Sequence, residues 1–120
     1  EMYLYYLDSK KINVVGPYHQ NHATNGTMAW RKRYADKHKY DEFVTKAEEV
    51  SFLENYKHTM IQLDPKNTIL VLCHQDNTSD KYLLREKTDK ALMKETKYKI
   101  EDFVKEPKIL QFYSQLSLKE

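Results

Sequence analysis

Gly16 and Gly26 are the only glycines in 120 residues, where a globular chain of this length carries about eight at the usual ~7%. That scarcity constrains the fold more than any other feature. The GxGxxG and GxxxxGK[ST] loops need several glycines where backbone approaches phosphate closely, so nucleotide-binding folds of those types are excluded. The sharp nucleophile elbow that presents a catalytic serine is excluded for the same reason. The length suits one domain with a single core. With 40% apolar and 32% charged residues, the chain can build that core while keeping a heavily charged surface.

The one cysteine, Cys73, lies inside the apolar run that begins Ile69-Leu70-Val71-Leu72. Neither a disulfide framework nor a cysteine-based zinc site can be assembled from it, and a reducing compartment is expected. No apolar stretch approaches the roughly 20 residues that span a bilayer. The opening Glu1-Met2-Tyr3-Leu4-Tyr5-Tyr6-Leu7-Asp8 lacks a basic leader and is short enough to be one strand. A soluble, cytoplasmic protein is the expectation. The sequons at Asn25 and Asn77 then carry no weight.

The formal charge of +2 conceals a segregation. Residues 1 to 40 carry seven bases against three acids, and residues 41 to 65 carry two bases against six acids. From Lys81 to Lys99 there are again seven bases against three acids. Two basic segments flank an acidic one, a pattern suited either to a positive face for phosphate backbone or to an ordinary mixed surface.

Residues 3 to 15 read as a hairpin, with Asp8-Ser9-Lys10 as its turn and Ile12, Val14 and Val15 on the return strand. Gly16-Pro17 ends it, and a polar loop follows from His19 to Thr27. Trp30-Arg31-Lys32-Arg33-Tyr34 is basic and aromatic without a period, a short helix or an ordered arm. From Asp41, apolar residues at steps of three and four, from Phe43 to Ile61, predict an amphipathic helix ended by Asp64-Pro65. Thr68 to Cys73 reads as a buried strand and Tyr82 to Lys87 as a second strand. Residues 91 to 98 suit a third strand or a short helix. Pro107 suits the first position of a closing helix that carries Ile109, Leu110, Phe112, Tyr113, Leu116 and Leu118.

From Tyr40 to Leu118 this order resembles the smaller Alu-domain subunit of the signal recognition particle. The points of similarity are Asp41-Glu42-Phe43 with Ala47-Glu48, Asp64-Pro65, the strand Ile69 to His74, Lys87-Thr88-Asp89, and Lys108 to Leu116. The resemblance implies an α+β fold, α-β-β-β-α, with helices packed on one face of an antiparallel sheet. It further implies a non-enzymatic RNA-binding subunit that pairs with a larger homologous subunit, grips Alu-type RNA and supports elongation arrest, with the ribosome as a further contact. The division expected is an N-terminal extension over 1–39 and an RNA-binding domain over 40–120. Arg85, Lys87, Lys94 and Lys97 would meet phosphates from the sheet, with Lys66 and Lys81 at strand entrances and Arg31 and Arg33 on the added arm. Such contacts position RNA and give salt-dependent affinity without reading bases.

Three other readings compete. His19-x-x-His22 is the closest histidine pair, but a zinc site needs three or four ligands, so no metal and no cofactor is expected. Glu95-Thr96-Lys97 with Asp76 or Asp80 has the D…ExK layout of metal-dependent nucleases. It requires that stretch to be a strand. Finally, Met2 to Leu7 is an aromatic edge-strand candidate that would pair with another chain in a protein-interaction module.

Overall fold

The computed structural model describes residues 1–116. Two compact units divide it: Glu1–Pro17 joined with the chain from Leu63 onward, and Tyr18–Gln62. The boundary expected near residue 39 therefore falls inside the second unit.

The first unit is built on a four-stranded sheet. Its strands are β1 (Met2–Tyr6), β2 (Lys11–Val15), β3 (Leu70–Cys73) and β4 (Met93–Glu95), in the order β3-β1-β2-β4. β1 and β2 form the expected antiparallel hairpin, with Tyr6 opposite Lys11. Lys10 closes its turn in the left-handed region at φ 57°. β4 adds antiparallel to β2, whereas β3 lies parallel to β1 with Tyr3 beside Leu70. The α+β class holds. The sheet is mixed rather than antiparallel, and the hairpin expected to be an extension supplies its two central strands.

Centrality explains the composition of β1. A strand covered on both faces needs an apolar side chain at every position, not at alternate ones. Leu4 and Tyr6, with Val15, Cys73 and Met93, form one buried cluster, covered by Tyr82, Leu84 and Leu92. Tyr5, Leu7 and Ile12 form the other, covered by Ile100, Phe103, Tyr113 and Leu116. The expectations of helices on one face and of an aromatic edge strand are both corrected by this two-sided burial.

Helix α3 (Lys81–Lys87) stands where the second strand was expected. Asp80 starts it by accepting a hydrogen bond from the Leu83 N–H at 2.9 Å, and Leu83 to Lys87 are good helix formers. Helix α4 (Pro107–Gln115) closes the unit, with Pro107 in its first turn and Glu106 as its cap. Leu118, expected on its apolar face, lies outside the described residues. Gly16 leaves the hairpin at φ 100°, a conformation open to glycine, while its N–H bonds the Leu92 carbonyl at 2.8 Å.

The second unit has two single-turn helices, α1 (Lys32–Ala35) and α2 (Glu49–Phe52), and no strand among its described residues. The long helix expected from Asp41 to Ile61 is absent. Ala47, at φ 53°, interrupts the segment before α2, and Glu54, Asn55 and Tyr56, at 50°, 57° and 58°, turn it left-handed just after. Phe43 and Ile61, expected on the buried stripe, are over 90% exposed. Phe52 and Leu53 are the unit's buried apolar side chains. Phe52 is ringed by Trp30 at 4.9 Å, Tyr34 at 5.2 Å and Tyr40 stacked at 4.5 Å.

Candidate functional site

In the sheet unit, an open groove runs between α3 and β4. Asn13, Arg85, Thr88, Lys90, Met93, Lys94 and Glu95 line it. β4 is an edge strand because no described residue pairs with its outer side, and it displays Lys94 and Glu95 exposed. Glu95 is neutralised by Lys11 at 2.8 Å. Arg85 holds Asp8 in a fork, Nη1 to Oδ1 at 3.0 Å and Nη2 to Oδ2 at 2.7 Å. Its guanidinium lies 4.5 Å from the Tyr6 ring centroid. Hydrogen bonding from Arg85 holds the Asp8 carboxyl below its ordinary range. Among the described residues Lys90 and Lys94 have no ion-pair partner, and the acid that lines the groove, Glu95, is matched by Lys11, so the groove carries their positive charge.

The expected phosphate contacts are only partly gathered. Arg85 and Lys94 line the groove, and exposed Lys87 ends α3 one residue before Thr88. Lys81 begins α3, half-buried, and its carbonyl accepts from the Tyr6 hydroxyl at 3.1 Å. Lys97 is exposed beyond β4. Lys66 lies in the turn after Asp64 with its Nζ 4.2 Å from the Tyr98 ring centroid. Arg31 and Arg33 are exposed at α1, in the other unit. Lys90 lines the groove although sequence reasoning assigned it to a turn. Its signal was present as one of seven bases between Lys81 and Lys99.

The strand Tyr82 to Lys87 and the helix Asp41 to Ile61, on which the α-β-β-β-α order rested, are respectively a helix and an irregular segment that keeps only the single turn α2. An open basic sheet face is absent as well, because both faces are covered. Of the nuclease layout, Glu95 ends strand β4 and pairs with Lys11, Thr96 and Lys97 lie beyond the strand, and Asp80 caps α3. Cys73 is fully buried, and burial pushes its thiol up to about 11, which keeps it protonated at neutral pH. No described helix is long and apolar enough to cross a membrane.

The second unit holds four of the five histidines. His19 and His22 join an aromatic stack, with His22 5.0 Å from Tyr56 and 4.4 Å from Tyr18 between ring centroids. A different group converges with ligand spacing: His38, Glu54 and His58, whose donor atoms lie within 4.8 Å of one another. His38 Nε2 is 3.7 Å from Glu54 Oε1, and His58 Nε2 is 2.5 Å from Glu54 Oε2. The expectation of no metal site weighed only the close pair on the 19–27 loop. The spacing Glu54-x-x-x-His58 was the available signal, since it puts two donors within reach across one turn.

Compared with protein-family models, curated proteins and solved structures, the chain matches none.

Proposed function

We propose that this chain is a non-enzymatic RNA-binding protein that grips phosphates in the groove between α3 and β4. The observation that carries the reading is the groove's charge: among the described residues Lys90 and Lys94 stand without ion-pair partners beside Asn13 and Thr88, and its acid Glu95 is neutralised from outside by Lys11. Two ammonium groups, Lys94 on the edge strand and Lys90 in the turn that leads into it, would displace counterions from a polyanion, and the neighbouring amide and hydroxyl would hydrogen-bond phosphate oxygens. Arg85 acts here as a wall of the groove, because Asp8 already takes its fork. Lys87 and Lys97 extend the positive rim.

The test is fluorescence anisotropy with a structured Alu-type RNA and a random duplex across salt concentrations. The expected result is an affinity that falls linearly in log salt. The Lys90→Glu/Lys94→Glu pair should lose at least tenfold in affinity and flatten the slope by about 0.7–0.9 per phosphate contact removed. Binding unchanged by that pair overturns the groove, and no binding to either RNA overturns the reading. Preference for the Alu-type RNA would support the particle subunit reading despite its missing element order. Equal affinity for both RNAs would leave a general phosphate grip.

A further inference from the structure

The unit Tyr18–Gln62 is 45 residues long, with Phe52 and Leu53 as its buried apolar side chains. Segments of about 40 residues rarely hold a fold on so little core without a disulfide, a metal or a partner. Cys73, the single cysteine, lies outside the unit, so an internal disulfide is impossible. The chain nevertheless maintains three successive non-glycine residues in the left-handed region, Glu54 to Tyr56. Strain of that kind persists where surrounding structure over-determines it, and it clusters at ligand sites.

The surrounding structure is a hub on Tyr34. Its carbonyl oxygen lies 2.8 Å from His38 Nδ1, and its ring stacks on the His38 imidazole at 3.8 Å. Its hydroxyl donates to the Phe52 carbonyl at 2.8 Å, two residues before Glu54. The same ring meets His58 edge-on at 5.7 Å. One side chain thus joins the segment carrying His38 to the segment carrying Glu54 and His58. With Nδ1–H donated to a carbonyl, His38 is locked in the tautomer whose Nε2 lone pair faces Glu54. Metal-ligating histidines are oriented by this kind of contact.

We propose that His38 Nε2, Glu54 carboxylate and His58 Nε2 bind one zinc ion, which staples the 18–62 unit. Two imidazoles and a carboxylate suit zinc, whereas calcium and magnesium call for oxygen ligands throughout. Zinc bonds of about 2.0–2.1 Å at tetrahedral angles separate neighbouring donor atoms by about 3.3 Å. The spacings of 3.7 Å and 2.5 Å bracket that value, and no donor pair exceeds 4.8 Å. Small side-chain shifts suffice, with zinc replacing the hydrogen bond between Glu54 and His58. Glu54 and His58 are more than 40% exposed, so solvent can supply the fourth ligand. The site is independent of the RNA reading, since its residues and the groove's belong to different units.

Chelator-stripped full-length protein titrated with zinc by calorimetry tests the proposal, with cobalt absorption as a second readout. One zinc per chain is expected, and cobalt should give the intense visible bands of a tetrahedral site. His38→Ala and His58→Gln should each weaken zinc at least 100-fold and Glu54→Gln about 10-fold. The His19→Ala/His22→Ala variant should bind like the parent. Failure of the parent chain to bind stoichiometrically, or loss confined to the His19/His22 variant, overturns the site. An octahedral cobalt spectrum of the parent does the same and needs no variant to fold.

Discussion

The two units spend similar residues to opposite effect. In the sheet unit, aromatic and aliphatic side chains alternate between two faces, and each face finds a cover, so Leu4, Tyr6 and Ile12 are wholly buried. In the 18–62 unit, the rings of Trp30, Tyr34, His38 and Tyr40 gather around Phe52, yet Trp30 remains 45% exposed and Phe43 95%. A sheet aligns successive residues into surfaces that a helix can cover. Short turns align nothing, so their rings pair locally and leave edges in water. The first unit therefore rests on hydrophobic burial, and the second on ring contacts, single hydrogen bonds and, in the proposal above, a metal.

The contrast is broken most forcefully by truncating each centre. Leu4→Ala should cost about 2–5 kcal/mol, and Phe52→Ala about 3–5 kcal/mol in the unit it anchors. By amide NMR, Leu4→Ala should loosen the whole sheet, whereas Phe52→Ala should erase dispersion in residues 18–62 and leave the resonances of β1 and β2 in place. Loss of the sheet signals in Phe52→Ala would mean that the units are one cooperative body.

A smaller effect probes the ion pair of the sheet unit. Asp8→Asn should cost about 1–2 kcal/mol at neutral pH, since it removes a charge-assisted fork. The folded-state carboxyl titrates below its ordinary value of 3.8, so its contribution is fully present above that range and is lost as pH falls through the lower, folded value. Urea unfolding of parent and Asp8→Asn should therefore differ at pH 7 and converge in strong acid. A constant gap down to pH 2 contradicts the assignment.

Exchange and thiol reactivity sharpen the comparison without changing stability. Amides of β1 should exchange slowest and those of 40–47 fastest, and Cys73 should react with a thiol reagent only as fast as the sheet opens. The smallest expected effect is Asn55→Gly, which relieves a left-handed residue and should stabilise the 18–62 unit by on the order of 0.5 kcal/mol. Destabilisation instead would show that the Asn55 side chain supports the turn.

Several elements were legible from residues alone. The hairpin was, because turn chemistry at Asp8 to Lys10 separates two β-rich runs. So were the strand ending at Cys73 and the helix opening at Pro107. Of the residues that line the groove, Arg85 and Lys94 were named through the resemblance as basic residues of expected strands, while Lys90 was read only as part of a turn. Tyr82-Leu83-Leu84 misled because a short apolar run suits a strand or a helix equally, and the Asp80 cap decides between them. The spacing from Phe43 to Ile61 misled because a period of three to four has meaning only where a surface waits to receive the stripe.

What the chain determines by itself is local: turns, caps, the exclusion of glycine-dependent sites and of an internal disulfide, and the pairing of β1 with β2. These depend on contacts within about ten residues, where identity and spacing dictate geometry. Tertiary structure alone decided that β3 runs parallel beside β1, making the hairpin the centre of the sheet. It also decided that His38 meets Glu54 and His58. Both depend on closure of long loops, whose entropy is recovered only when distant side chains find each other, and no local pattern records which ones will.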